Sequence, residues 1–299
     1  MEETTRIQVR VLGPLEVTVD GRPTDICGPK RSVLLAVLAL HRGRVVSIDG
    51  LLEQVWGLDD RASSRNALHH HIARLRGSLG RTAIAASPSG YALVSAGTDA
   101  AACEEALASA RAALRAGDAA RAEELAMEAL SAWRGFALQG LTDTPWLEAE
   151  ANRLDELRVD ALEEHFEAAL ALGRHREIVS EVELAVGESP FRERLWQQLM
   201  LALYRSGRQA DALEAYQTAR NVYIERLGLE PSPELRRVQE AILRHDPAIA
   251  GAGFGRFDGH QDELARLVEQ MRHDLRRVEE LYAWAHHGAG RLAVAGAAA

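Results

Sequence analysis

The feature that most constrains the fold is the loss of every strand signal after Asp99. From there to about His245 the sequence is rich in Ala, Leu, Glu and Arg at helical spacing. Breaks containing glycine interrupt it at Gly117-Asp118, Gly173-Arg174 and Gly207-Arg208, and the last two lie 34 residues apart. Because glycine ends helices readily and a 3.6-residue apolar period buries one helix face, the segment is predicted to form helical hairpins.

A spacing of 34 residues is the period of tetratricopeptide (TPR) helix hairpins. The best match is LWQQLMLALYRSGRQADALEAYQTA, where aromatic, leucine and small residues stand at the packing positions of that repeat, so we expect them to form core. The first break precedes the second by 56 residues. An extra piece of about 22 residues is therefore expected around Gly135–Asn152. Pro231 and Pro233 are expected to open a final helix that ends at His245.

The first 97 residues carry a different pattern. Ile7–Leu12 and Leu15–Val19 alternate apolar and polar residues and lead to Asp20-Gly21, which is a hairpin signal. Helical spacing then begins at Pro29, and a second helix is expected to follow an N-cap at Ser47. This part of the chain is therefore predicted to begin with a small antiparallel sheet and two helices.

A third helix and a hairpin complete the pattern. The helix is expected in SSRNALHHHIARLRGSLG, with Ser63 or Ser64 as its N-cap, and the hairpin in AIAASPSGYALV. Two helices with a short connection, a third helix and a hairpin are the elements of a winged helix. The predicted fold class is mainly α with a small β component: a winged helix-turn-helix domain followed by an all-α TPR-like repeat domain.

The third helix is predicted to have one apolar and one basic side. At 100° per residue its large aliphatic residues fall within about 60° of one another and should face the core; they are Leu68, Ile72, Leu75 and Leu79. The opposite side carries no acid and consists of Asn66, His70, Ala73, Arg74 and Gly77, with His69 and Arg76 on one flank and His71 on the other. Asn can pair bidentately with adenine and Arg with guanine, and small residues let a helix approach a DNA groove closely.

The sequence of this helix allows two other interpretations. A basic helix considered alone is also typical of a solvated surface, but the winged-helix context favours DNA binding through Arg65, Asn66, His69, His70, Ala73 and Arg74. Three adjacent histidines point about 100° apart and cannot converge on one ion, since chelation on a helix needs i, i+4 spacing. We therefore expect no metal site and no cofactor.

Lys30 and Arg31 and the hairpin offer further candidate contacts. Two cations in the first turn of a helix oppose its dipole, so a phosphate could be held there by the backbone amides and both side chains; simple solvation is the alternative. In the hairpin, Ser87, Ser89 and the Gly90 amide are candidates for contacts to the DNA backbone or minor groove. An ordinary tight turn would explain the same residues.

Charge is distributed unevenly in a chain of 299 residues with a formal net charge of −9. Residues 1–95 carry 12 basic and 9 acidic residues, a net charge of +3, whereas the remainder carries 23 and 35, a net of −12. Such asymmetry is typical of a chain in which one part meets a polyanion. The two cysteines are far apart, no export signal or membrane span is evident, and a cytoplasmic protein is expected.

Several segments resemble one known family, the Streptomyces antibiotic regulatory proteins. They are VLGPLEVTVDG, GPKRSVLLAVLALHRGRVVSIDGLLEQVWG, NALHHHIARLRGSLG and SGYALV in the first part, and the runs 132–175 and 188–243 in the second. The resemblance implies an OmpR-type winged helix over residues 1–97 and a bacterial transcriptional activator domain over 98–247. It leaves a linker at 248–260 and a C-terminal helix and tail at 261–299, where the helix is either an oligomer contact or a packing element.

The resemblance also implies a function. Members of the family activate transcription of secondary-metabolite (antibiotic) gene clusters, bind direct repeats of promoter DNA as dimers and recruit RNA polymerase, including its sigma factor. By this resemblance the third helix is the recognition helix and Ser89-Gly90-Tyr91 belongs to the wing. No enzymatic activity is expected, and no phosphate-binding loop or receiver domain is found. The alternative is a TPR-type adaptor whose winged domain is a protein-interaction module.

Overall fold

The computed structural model describes residues 6–57, 61–94 and 96–250. In these ranges the first part alternates short strands with helices, and everything after Thr98 is helix and loop. The elements are β1 (Ile7–Arg10), β2 (Glu16–Val19), β3 (Arg22–Pro23), α1 (Pro29–Leu40), β4 (Val46–Ser47), α2 (Ile48–Trp56), α3 (Arg61–Leu79), β5 (Ile84–Ser87), β6 (Gly90–Leu93), β7 (Ala96–Thr98), α4 (Asp99–Arg115), α5 (Ala119–Ser131), α6 (Pro145–Ala171), α7 (His175–Glu188), α8 (Glu193–Arg205), α9 (Gln209–Leu227), α10 (Pro233–Leu243) and α11 (Pro247–Ala250). The predicted fold class is confirmed. No helix in these ranges is long and apolar enough to cross a membrane.

The first sheet has the strand order β3-β2-β1-β7. The predicted hairpin at Asp20-Gly21 joins β2 to β3, with Val19 paired to Arg22 and φ values of 52° and 77° at the two turn residues. Positive φ at both positions is what a type I′ turn requires. β7 pairs in parallel with β1 and leads directly into α4, so the sheet connects the two parts of the chain.

The first two helices begin where the sequence predicts. Pro29 is the first residue of α1, and the Ser47 Oγ caps α2 by accepting a 3.1 Å hydrogen bond from the Gly50 N–H. The expected cap of α3 at Ser63 or Ser64 is wrong, because the helix begins at Arg61 and already includes both serines. The apolar stripe that defines α3 starts at Leu68 and carries no information on how far the helix extends before it.

The wing is a three-stranded sheet with the order β4-β6-β5. β5 and β6 form the predicted hairpin, and their last pair is Ser87 with Gly90. α3 packs against α1 and α2 on one side and reaches β5 of the wing at its end. This arrangement of helices and hairpin is a winged helix-turn-helix.

The second part consists of antiparallel helical hairpins. Gly117, Gly173 and Gly207 end helices with φ values of 80°, 77° and 81°, which is the left-handed conformation that a helix C-terminus favours. Trp196 and Tyr216 are 5% and 4% exposed. These two aromatic residues of the TPR-like match are therefore core, as predicted, whereas Tyr204 is half-buried and packs against the core.

The extra piece differs from the expectation for Gly135–Asn152. Residues 132–144 form a loop, but Pro145 then begins α6, a helix of 27 residues that contains the rest of the expected insertion. The Thr144 Oγ1 accepts a hydrogen bond from the Leu147 N–H, so a threonine followed by proline sets this start. Neither residue contributes to the spacing of the hairpins, so that spacing does not predict where α6 begins.

The end of the helical part also differs from the expectation. Pro233, and not Pro231, is the first residue of α10, which ends at Leu243 rather than at His245. The linker expected at 248–260 does not begin at 248, because Ile249 is buried and its carbonyl accepts a 2.9 Å hydrogen bond from the Arg205 Nε. Residues 251–260 and the expected C-terminal helix of 261–287 lie outside the described residues.

The hydrophobic core does not divide at residue 97. One cluster of buried side chains contains β1, α1, α2 and α3 together with Leu138, Leu147, Leu154 and Ala161 from the following part. A second cluster begins at Phe166 in α6 and contains α7 to α10. The winged helix therefore shares its core with the first turns of α6, and the division between the two cores lies inside that helix.

Charged side chains occupy the junction of the two cores. Arg111 of α4 donates to Asp160 and Glu164 of α6 at 2.9 and 3.1 Å, and Arg194 of α8 donates to Glu164 at 3.0 Å. Burial raises the pKa of the neighbouring Glu163 to about 7, although Arg194 and Arg192 act in the opposite direction. Buried ion pairs of this kind bring little net stability, but they are costly to break singly.

Candidate nucleic-acid interface

The inner side of α3 is buried as the sequence predicts. Leu68, Ile72, Leu75 and Leu79 are no more than 2% exposed and belong to the shared core. Burial of four large aliphatic side chains, each contributing roughly 1.5–3 kcal/mol, fixes the rotation of the helix about its axis. The opposite side must therefore face outward.

The outer side of α3 is open to solvent. Its exposed residues are Arg65, Asn66, His69, His70, Ala73, Arg74 and Gly77. In the described part of the chain the Arg74 guanidinium forms no hydrogen bond or ion pair, and α3 itself carries no acid. The surface combines an unneutralised cation, an amide and two positions without a long side chain. A polyanion with a groove is a ligand of matching charge and shape.

The three consecutive histidines occupy three different environments. The ring of His69 meets the ring of Tyr91 on β6 edge-on at 6.3 Å, whereas the ring of His71 lies 5.8 Å from that of Trp56 on α2. Burial lowers the pKa of His71, and the nearby charges of His70 and Arg31 lower it further. His71 is thus a neutral packing residue, and His70 is the histidine that faces directly outward.

Arg76 joins the wing to α3. Its Nε and its terminal amino group donate to the Ile84 carbonyl at 3.0 and 2.7 Å, and its guanidinium lies 5.9 Å from the centre of the Tyr91 ring. The sequence predicts Arg76 on a flank of α3, and the family resemblance implies that Tyr91 lies in the wing, but neither indicates a role for the residue. The strand alternation around Tyr91 was the available signal, and it does not specify which helix the ring meets.

Arg65 is paired, but weakly. Its guanidinium donates to the Asp49 carboxylate at 3.1 Å, and the two side chains are 54% and 70% exposed. Exposed pairs of this kind contribute about 0–1 kcal/mol, so Arg65 can exchange the carboxylate for another anion at little cost.

Lys30 does not lie free at the start of α1. The Lys30 Nζ donates to the Val55 carbonyl in the last turn of α2 at 3.0 Å. A cation at a helix C-terminus is stabilised by the dipole of that helix, which explains the lysine without a phosphate. A phosphate contact by Lys30 and Arg31 stays a prediction: Lys30 already holds the end of α2, and the half-buried Arg31 folds back over Gly28.

The hairpin tip uses its polar groups internally. The Ser87 Oγ accepts hydrogen bonds from the backbone N–H groups of Ser89 and Gly90 at 3.3 and 3.2 Å and lies 3.0 Å from the Ser89 Oγ. The Gly90 amide is therefore occupied and buried, which favours the alternative of an ordinary tight turn over a DNA contact by this amide. A Cβ at Gly90 would lie 1.8 Å from the Val46 carbonyl oxygen, so glycine is required by the pairing of β6 with β4.

The described residues contain no group of three or more His, Cys, Asp or Glu side chains that could hold a metal ion. The ring centroids of His70 and His71 are 6.0 Å apart, with the planes inclined by 67°. These side chains diverge from one another, as adjacent positions on a helix require.

Both parts of the chain match known families. Residues 26–93 match the family described as "Transcriptional regulatory protein, C terminal", and residues 98–243 match the "Bacterial transcriptional activator domain". The regulatory protein DnrI of Streptomyces peucetius is 33% identical over 257 residues, which cover 81% of this chain and 94% of DnrI. The chain belongs to the Streptomyces antibiotic regulatory protein family.

Further relatives of this Streptomyces antibiotic regulatory protein family member are longer. The regulatory protein AfsR of Streptomyces coelicolor is 36% identical over 252 residues, and the chain spans only 25% of its length. A solved structure of Mycobacterium tuberculosis EmbR, in complex with a low-affinity phosphopeptide, superimposes with a TM-score of 0.78 at 32% identity and covers 90% of this chain and 71% of EmbR. The architecture described above is thus shared with an experimentally determined family member.

Proposed function

We propose that the protein is a sequence-specific transcriptional activator that places α3 in the major groove of promoter DNA. One observation carries the proposal: the outer side of α3 is exposed and acid-free, and it presents an unpaired Arg74 among small residues. If this side served only solubility, alternating positive and negative charges would stabilise the helix more than an acid-free surface does.

Each group on this surface has a defined task in the proposal. Asn66 can bond an adenine edge bidentately and Arg74 a guanine edge, while Ala73 and Gly77 let the backbone approach the bases. His70 would contact the DNA from the same exposed side of α3. Arg65 would leave Asp49 for a phosphate, and Ser89 at the exposed wing tip would contact the DNA backbone.

The finer biological role is proposed from family membership. The protein would bind direct repeats as a dimer in the cytoplasm, recruit RNA polymerase through its sigma factor and activate a secondary-metabolite gene cluster. Footprinting on the DNA around its own gene would identify the repeat and its spacing. A repeat of about one helical turn would indicate two copies on the same side of the duplex.

The salt dependence of binding tests the DNA proposal against the adaptor alternative. For a duplex selected from a random-sequence pool, the association constant should fall by at least about 100-fold between about 50 and about 200 mM salt, because counterions are released when phosphates are neutralised. Replacing Arg115, an exposed arginine at the end of α4, by Ala should leave the curve unchanged. A flat salt response of the wild-type protein would contradict DNA binding and favour the adaptor.

A further inference from the structure

The last turn of α2 is a junction between three other elements. The Gln54 carbonyl accepts a 2.8 Å hydrogen bond from the Thr144 Oγ1, which precedes α6. The Val55 carbonyl accepts from the Lys30 Nζ of α1. The Trp56 ring contacts His71 of α3. Three consecutive residues are therefore held by α6, α1 and α3.

These contacts fill positions that a helix leaves open. The last four carbonyls of a helix lack partners within it, and here the Glu53 carbonyl accepts from the Gly57 N–H. The next two carbonyls, of Gln54 and Val55, are the ones that Thr144 and Lys30 occupy. The end of α2 therefore depends on two side chains from other elements: Lys30 of α1, and Thr144, which lies outside the winged helix.

Thr144 connects this turn to the helical part of the chain. It is 5% exposed, and its single hydroxyl donates to the Gln54 carbonyl while accepting from the Leu147 N–H at 3.5 Å. The helix that it caps, α6, passes through both hydrophobic cores. A displacement of α6 along or about its axis must break this bond or move the end of α2.

We propose that Thr144 is a positioning residue for DNA recognition. It fixes the last turn of α2, and Trp56 in that turn fixes α3 through His71, so the helical part of the chain sets the placement of the DNA-reading surface. The inference rests on the proposed DNA-binding function. It adds a route by which a displacement of α6 would change the affinity of the protein for DNA.

Substitutions at Thr144 separate its two hydrogen bonds. Thr144→Ser keeps both, Thr144→Asp keeps the cap of α6 but has no hydroxyl to donate to Gln54, and Thr144→Val loses both. We expect the Asp and Val variants to bind the selected duplex about three- to tenfold more weakly, and the Ser variant to bind within about twofold of wild type. The matched control is Thr98→Val, because Thr98 is also buried and caps α4 through the Ala101 N–H but forms no hydrogen bond to α2.

A double-mutant cycle provides a readout that a purely structural role would not move. If Thr144 acts by placing α3, then Thr144→Val should reduce the affinity less in an Arg74→Ala background than in wild type. The Arg74 contact that a displaced α3 would weaken is already absent in that background. Additive losses, an unchanged affinity of the Asp variant, or an equal loss in Thr98→Val would each overturn the inference. If the wild-type protein binds no selected duplex, the proposed function itself fails, and the inference fails with it.

Discussion

At the scale of single residues, several side chains that are adjacent in the sequence have different roles in the structure. Lys30 and Arg31 are neighbours, yet Lys30 stabilises the end of α2 while Arg31 lies over Gly28. His70 faces outward, whereas His71 on the next position packs against Trp56. The chemistry of a residue type sets what it can bind, but its partner is decided by the tertiary fold.

Two glycines give a prediction at this scale. Gly90→Ala should destabilise the protein by about 2–4 kcal/mol, because the new Cβ would overlap the Val46 carbonyl. Gly77→Ala should stabilise it by about 0.5–1 kcal/mol, because the site is an exposed helix interior where a new Cβ would meet nothing within 4 Å outside its own helix. Urea unfolding of the two variants measures both effects. A Gly90→Ala variant as stable as the wild-type protein would contradict the pairing of β4 with β6 in the wing.

At the scale of elements, the sequence predicted what depends on local periodicity. The buried face of α3, the cap of α2 at Ser47 and the hairpin at Asp20-Gly21 were all predicted, since the residues concerned are close in sequence. The partner of Lys30 is 25 residues away and that of Thr144 is 90 residues away. No helical or strand period encodes such pairs, so the junction at the end of α2 could not be predicted.

At the scale of the whole molecule, the winged helix and the helical part are not independent bodies. The Asp99 carboxylate accepts the backbone N–H groups of Val11 and Leu12 at 2.7 and 3.1 Å, and Trp146 stacks on His41 with a centroid distance of 5.3 Å. A division at residue 97, expected from the change of sequence pattern, would cut through these contacts. The sequence pattern shows where strands give way to helices alone. The division between the two hydrophobic cores lies further along the chain, within α6.

Truncation tests this shared core. A fragment of residues 1–97 should be at least about 3 kcal/mol less stable than a fragment ending at residue 171, because it loses Asp99 and the apolar side chains of α4 to α6. Hydrogen exchange at the amides of Val11 and Leu12 reports the difference directly. Equal protection in the two fragments would show that the winged helix folds without the helical part.

The proposed function depends most on α3 reading DNA bases with its outer side. The most direct test compares the sequence motifs that the wild-type protein and Arg74→Ala select from one random-sequence pool. We predict that the variant loses preference at one base position of each half-site, with a cost of about 1–3 kcal/mol for the wild-type motif. An unchanged motif, or a uniform loss of affinity on all sequences, would contradict base reading by this surface.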